Sequence, residues 1–206
     1  NDDHQVVWHV RDRADQLARE ATFSERVGEA PFHTDSAFAL HPEEYFGLYT
    51  VTPAECGGGV SRIIPGTRLI AAMNATEEGR YYRQILERNL YPFKVPAAFS
   101  QTRRISFGKI LNNGKLRYRH DAIRHGMEEV PARMTRAMID ALTWFDAFVE
   151  TAVPPIEIRL AAGQAIFVNN QRVLHARSNY TDSRRHLLRV RMHAHEEAIP
   201  AGLLRN

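Results

Sequence analysis

Two changes of apolar period along the chain restrict its fold more than any other feature. Residues 45–52, Tyr-Phe-Gly-Leu-Tyr-Thr-Val-Thr, are dominated by aromatic and β-branched side chains and read as a strand. A helical period takes over at 132–150, where Met134, Met138, Ala141, Leu142, Phe145, Phe148 and Val149 fall on one face. Pro154-Pro155 closes that region. Strand-like runs then return at Ile156–Leu160, Ala165–Val168 and His186–His193. Strands that bracket helices, rather than alternate with them, suit a β-sandwich or barrel with helical insertions and not a βαβ sheet. Neither GxGxxG nor GxxxxGK[ST] occurs, so the two commonest nucleotide-binding loops are absent.

Local signals refine this outline. Asn74 with Glu77 resembles a capping box opening a helix toward Leu90. Ile105–Leu111, Asn112-Asn113-Gly114 and Lys115–Arg119 form a hairpin pattern, because Asn and Gly tolerate the positive φ of a tight turn. No repeat or linker divides the 206 residues, so 1–206 reads as a single domain with room for a real core. No apolar run reaches the roughly 18 residues of a membrane span. The polar start Asn1-Asp2-Asp3-His4 shows no signal peptide. Cys56 is the single cysteine, which excludes an internal disulfide and a four-cysteine zinc site. A reducing cytoplasm is the expected location. Net charge is +3 with arginine scattered throughout and no densely basic stretch, so nucleic acid is not an expected partner. The sequence carries no signal for oligomeric state.

The ten histidines are the chemically informative residues. His33-Thr34-Asp35 places an imidazole and a carboxylate on one side of an extended chain, where both can grip one metal ion. His41-Pro42-Glu43 and His195-Glu196-Glu197 have the same form, but one sits in a turn-like context and the other in a polar tail. His33 and Asp35 lie between Pro31-Phe32 and Ala37-Phe38, a setting that can exclude water. The block Asn169–Arg177 carries His175 behind an apolar strand. Read as a strand, Ser183–Arg191 places Arg185 and Arg189 on one face, with Leu188, Val190 and Met192 on the other. Its guanidinium forks suit carboxylates. An HxD, a Gly-rich turn at 57–59, a distal histidine about 140 residues later, and arginines ten and fourteen residues beyond that form one ordered pattern. Two histidines and one carboxylate make a facial triad, the arrangement of non-haem Fe(II) oxygenases.

On these residues the chain resembles the Fe(II)/2-oxoglutarate-dependent oxygenases of the taurine dioxygenase and clavaminate synthase type. The resemblance runs from about Pro31 to Met192. It rests on His33-Thr34-Asp35, Gly58-Gly59-Val60-Ser61, the stretch Gly163–Arg177 and Arg185-His186-Leu187-Leu188-Arg189. It implies a mainly β fold with helical insertions, a double-stranded β-helix or jelly roll. It implies Fe(II) held by His33, Asp35 and His175. It implies 2-oxoglutarate as co-substrate, its far carboxylate taken by Arg185 with help from Ser61, and O2 as oxidant. The shortened loop after His175 leaves Arg184 open beside Arg185, and the strand phase with Arg189 favours Arg185. Members usually carry more chain ahead of the HxD than the 32 residues found here, so a domain lacking N-terminal family segments is expected.

The resemblance further implies a dioxygenase that oxidises, most often hydroxylates, a C–H bond of a small-molecule substrate and releases succinate and CO2. Arg189 points to an anionic or amino-acid-like substrate. Few acids stand near Arg189 in the sequence, and a buried guanidinium requires a partner, so a substrate carboxylate is the expected one. Phe38, Tyr45 and Phe107 are further substrate-pocket candidates. Asp35 argues against halogenation, because family halogenases lack the carboxylate ligand. The rival readings are a non-oxidative cupin-like metalloenzyme on the same His/Asp/His site, which has no use for Arg185, and a non-catalytic binding module.

Overall fold

The computed structural model describes residues 6–12, 23–97, 99, 102 and 104–194. Its strands are β1 (Val7–Arg11), β2 (Ala30–His33), β3 (Tyr45–Thr52), β4 (Ser61–Pro65), β5 (Tyr91–Lys94), β6 (Ile105–Gly108), β7 (Leu111–Asn112), β8 (Lys115–Leu116), β9 (Ile156–Ile158), β10 (Ala165–Asn169), β11 (Val173–Arg177) and β12 (His186–Met192). The helices are α1 (Gly66–Asn74), α2 (Glu77–Arg88), α3 (His120–Glu129) and α4 (Arg136–Thr151). Two four-stranded sheets carry the architecture, in the orders β1-β12-β3-β10 and β2-β11-β4-β9. Every pairing in them is antiparallel. With only these eight strands numbered along the chain, the orders read 1-8-3-6 and 2-7-4-5. That is a double-stranded β-helix, with residues 66–153 inserted between its fourth and fifth strands.

Period-two alternation separates the two faces of each sheet. On β3, Phe46 and Thr50 are buried while Tyr45, Tyr49 and Val51 are exposed. On the other sheet, Phe32, Ile64 and Leu174 share one buried cluster with Leu69, Met73, Leu86, Leu142 and Phe145 of the helices. The inserted helices therefore back the sheet that carries β2 and β11, leaving that sheet's other face for the interior cavity.

The helices form where composition and caps agree. The periodicity predicts a helix over 132–150, and α4 runs over 136–151 because Thr135 caps it, its Oγ1 accepting from Met138 N at 3.2 Å. Asn74 and Glu77 do not form a cap. Asn74 ends α1, and Thr76 caps α2 by accepting from Gly79 N at 3.0 Å. The hydroxyl nearer the first turn wins, and Asn74 Oδ1 instead accepts from Arg83. The expected hairpin is shorter than its sequence pattern. Asn113 and Gly114 do adopt positive φ, of 50° and 74°, but β7 and β8 contribute only two residues each and β6 pairs with β5. Arg117 explains the departure. It donates to Ala37 O, Ala39 O, Phe107 O and Ser106 Oγ, which ties the return strand to the HxD segment.

An aromatic contact helps tie the helical layer to the HxD. Phe145, fully buried on α4, meets the Tyr118 ring edge-on at 5.1 Å, and Tyr118 O accepts from Thr34 N at 2.7 Å. Phe145→Ala removes the packing under Tyr118. Urea unfolding should show a loss of about 3–5 kcal/mol, against less than about 1.5 for Phe145→Leu. Equal, small losses in both variants would contradict this packing role.

Candidate metal centre

Antiparallel pairing sets His33 of β2 directly opposite His175 of β11. Asp35 follows two residues after His33, and its main chain is clamped by Asn170 in the turn between β10 and β11. Asn170 Oδ1 accepts from Asp35 N at 2.7 Å, and Nδ2 donates to Asp35 O at 3.0 Å and to Glu43 O at 2.8 Å. Asn170 is fully enclosed, so these bonds are shielded from water.

The three side chains converge. His33 Nε2 and His175 Nε2 each lie 3.6 Å from Asp35 Oδ1. One ligand atom from each residue lies within 4.8 Å of the other two. Two donors sharing an ion at about 2.1 Å sit about 3 Å apart, so a small contraction suffices to close the site on a metal. His33 Nδ1 lies 2.8 Å from Pro31 O, an arrangement that puts the ring proton on Nδ1 and the lone pair on Nε2, toward the centre. Both ring nitrogens of His175 are buried without a hydrogen-bond partner among the described residues, and Asp35 Oδ2 is buried with the Arg189 ion pair at 3.1 Å beside it. Burial, and then the neighbouring His33, push His175 down to about 4, so the ring is neutral and able to ligate. Burial opposes ionisation of Asp35, but Arg189, His175 and His33 together hold it well below the usual carboxylate range. Orphaned donor atoms, a neutral imidazole and an ionised carboxylate are the requirements of a divalent cation site.

The surrounding arginines differ in how they are satisfied. Arg189 of β12 lies 3.2 and 3.1 Å from the two Asp35 oxygens. Its partner is therefore an acid 154 residues away, which removes the reason for assigning it to a substrate carboxylate. Arg185 is buried, with its guanidinium over the Tyr180 ring at 5.0 Å and Nη1 unpartnered among the described residues. Arg184 faces outward and pairs with Glu55 and Asp182. Two adjoining cavities, of about 70 and 310 Å³, meet at Ser61, Arg185 and Leu187. Gly59 has φ +70°, and an added Cβ would lie 2.8 Å from Arg185 Nε, so a side chain there would displace the guanidinium.

Phe38 lines the cavity, but Tyr45 and Phe107 do not. Tyr45 lies on the outer face of β3, because its neighbour Phe46 takes the inward position. Phe107 is on β6, outside both large sheets, where Arg133 stacks on it at 5.3 Å. Trp8, Arg177 and Arg191, none of them a candidate from the sequence, also line the cavity. For Arg191 a signal exists, since the period of two that joins Arg185 to Arg189 continues to it. Among the described residues, no helix is long and apolar enough to cross a membrane.

Asn170→Ala tests the clamp. Leaving Asp35 N and O unpaired in a buried setting should cost about 1–3 kcal/mol for each group, and divalent-metal affinity should fall with it. Urea unfolding combined with Mn(II) titration checks both. Unchanged metal affinity would mean that Asn170 does not position Asp35.

A family model described as taurine catabolism dioxygenase TauD, TfdA family, matches residues 1–191. No curated protein matches the chain. An asparagine oxygenase solved with Fe(II), 2S,3S-3-hydroxyasparagine and succinate is similar in structure, with a TM-score of 0.70 at 16% identity, covering 91% of this chain and 56% of that one. The non-heme iron oxygenase OrfP in complex with Fe has a TM-score of 0.61 at 15% identity, covering 93% and 58%. The PvcB protein from Pseudomonas aeruginosa has a TM-score of 0.59 at 16% identity, covering 91% and 64%. The chain thus spans less than two thirds of the length of these structures.

Proposed function

The chain belongs to the TauD, TfdA dioxygenase family, and on that premise we propose that it is an Fe(II)- and 2-oxoglutarate-dependent dioxygenase hydroxylating a C–H bond of a small carboxylate, an amino acid by preference. The observation that carries this reading is one cavity holding both a convergent His33–Asp35–His175 donor set and the buried guanidinium of Arg185, whose Nη1 has no hydrogen-bond partner among the described residues. A non-oxidative metalloenzyme accounts for the first and leaves the second as an unexplained cost.

In this reading His33, Asp35 and His175 hold Fe(II), and Arg185 takes the far carboxylate of 2-oxoglutarate with Ser61 beside it. Bound iron and 2-oxoglutarate supply the oxidation, in which O2 is consumed, succinate and CO2 are released and one oxygen atom enters the substrate. The protein's own residues prepare for it. The Pro31 carbonyl orients the His33 ring. Arg189 holds the Asp35 carboxylate ionised and aimed at the centre. Phe46, 4.6 Å from the His175 ring, and Phe38 narrow the cavity and limit water. An amino-acid substrate is favoured because the similar asparagine oxygenase is bound with hydroxyasparagine and OrfP has been solved with (3S)-hydroxy-L-Arg.

The direct test is succinate formation from 2-oxoglutarate with Fe(II) and O2, assayed across the L-amino acids. Absence of any Fe(II)-dependent succinate would sink the proposal. His175→Ala should remove most metal affinity, measured by Mn(II) titration, because one of three protein ligands is lost. Arg185→Lys keeps the charge but loses the fork, at a cost of about 1.5–3 kcal/mol, or roughly tenfold to a hundredfold weaker 2-oxoglutarate binding. Ser61→Ala should cost about 0.5–1.5 kcal/mol. A larger effect from Arg184→Lys than from Arg185→Lys would move the anchor by one residue.

A further inference from the structure

Five arginines line the cavity around Asp35, and their partners separate them. Arg119 is held by both oxygens of Asp121, at 2.8 and 2.9 Å. Arg177 donates to the carbonyls of Phe23, Arg26 and Gly28. Arg189 is bonded to Asp35 through Nη1, and Arg185 is taken by the co-substrate in the reading above. Arg177 and Arg189 each keep a buried Nε without an acceptor among the described residues, but their Nη groups are bonded, which no Nη of Arg191 is among the described residues. Arg191 remains. Asp35 Oδ2 and Glu43 Oε1 each lie 4.0 Å from it, close enough to balance part of its charge and too far for a hydrogen bond. Its Nε is buried with no acceptor among the described residues.

A second orphaned donor lies beside it. Trp8 Nε1 also lines this cavity, is buried, and has no acceptor among the described residues. Trp8 of β1 stands opposite Arg189 of β12, so Arg191, two residues along on the same face, is its diagonal neighbour. The Arg191 guanidinium lies 5.9 Å from the Trp8 ring centre. Two buried N–H donors without acceptors are costly, and the group that relieves both must offer acceptor oxygens. A carboxylate does so and matches the fork of Arg191. A cation or an apolar group leaves both donors unpaired. Over the whole cavity five guanidinium groups face Asp35, with Glu43 and Asp121 beside it, an excess that favours the same sign of ligand.

We propose that Arg191 and Trp8 form the site that binds the carboxylate of the substrate, adjacent to Asp35 and distinct from the Arg185 anchor. The proposal rests on the oxygenase reading above and deepens it, by naming the residues that select an acid over its neutral derivative. Arg189 then serves Asp35, and the two inward arginines of β12 that flank Asp35 have separate tasks.

The test is calorimetric titration of the Mn(II)- and 2-oxoglutarate-loaded protein, without O2, with the twenty L-amino acids and with the α-amides of L-asparagine, L-arginine and any acid that binds. At least one acid should bind the wild type, and its α-amide should bind at least about tenfold more weakly. Arg191→Gln should weaken the acid by roughly tenfold to a hundredfold and bring it to the level of the amide. Trp8→Phe, which keeps the ring and deletes the N–H, should weaken it by roughly threefold to tenfold. Both variants should still take up Mn(II) and 2-oxoglutarate. The proposal is overturned if acid and amide bind the wild type equally, if no amino acid binds, or if Arg191→Gln binds the acid like the wild type. It is also overturned if Arg191→Gln loses Mn(II), which would make Arg191 a support for Asp35. Failure of the wild type itself to bind Mn(II) and 2-oxoglutarate would instead remove the oxygenase reading, and this proposal with it.

Discussion

The pairing of β2 with β11 is the constraint on which the site depends. An antiparallel register shift of one residue would turn His175 to the opposite face of its sheet, into the helical layer. The register is held from several sides. β11 pairs with β4 on its other edge over five residues, from Val173 opposite Pro65 to Arg177 opposite Ser61. β2 is flanked by the Thr34–Tyr118 hydrogen bonds. Leu174, fully buried among the helices, cannot exchange places with the imidazole next to it without placing a polar ring in an apolar cluster. The helical insertion thus acts on the metal centre at a distance, by deciding which residues of β11 face inward.

Electrostatics supply the second constraint. Asp35 is buried beside two histidines and close to two arginines of β12, and it holds the site together as the shared acid. Each guanidinium in such a setting is tolerable only with a partner. Arg119 and Arg177 find theirs in Asp121 and in main-chain carbonyls. The remaining positive charge suits anionic ligands, which is the ground on which a dicarboxylate co-substrate and an acidic substrate are proposed. Burial keeps the His175 imidazole neutral, whereas Asp35 is ionised against the effect of burial, because Arg189 and the two histidines stabilise its charge.

Local pattern made some of this legible and long-range pairing hid the rest. His33 and Asp35 stand two apart on an extended chain, a spacing that suits one metal, the family resemblance adds His175, and the structure brings ligand atoms of all three within 4.8 Å of one another. The helix α4 shows its period plainly, and only its cap at Thr135 trims the expected start. β1, β2, β4 and β11 are four or five residues long, too short for a period to stand out. The Arg189–Asp35 pair joins residues 154 positions apart, and nothing local in either segment announces the other. Tyr45 follows the HxD and Phe107 belongs to the hairpin pattern, yet strand parity turns the first outward and the β5–β6 pairing keeps the second outside the two large sheets. Asn170 was visible only as part of a block, since its role is to bond the main chain of a distant turn.

The central claim is that one cavity would bind a metal through His33, Asp35 and His175 and a dicarboxylate through Arg185. A divalent cation and an anionic ligand in one cavity attract each other, and by linkage the coupling is the same from either side. The measurement is anaerobic calorimetric titration of 2-oxoglutarate into the protein with and without Fe(II). The account predicts that Fe(II) raises 2-oxoglutarate affinity by at least about tenfold, a coupling of about 1.4 kcal/mol or more. Equal affinity with and without Fe(II) would contradict it.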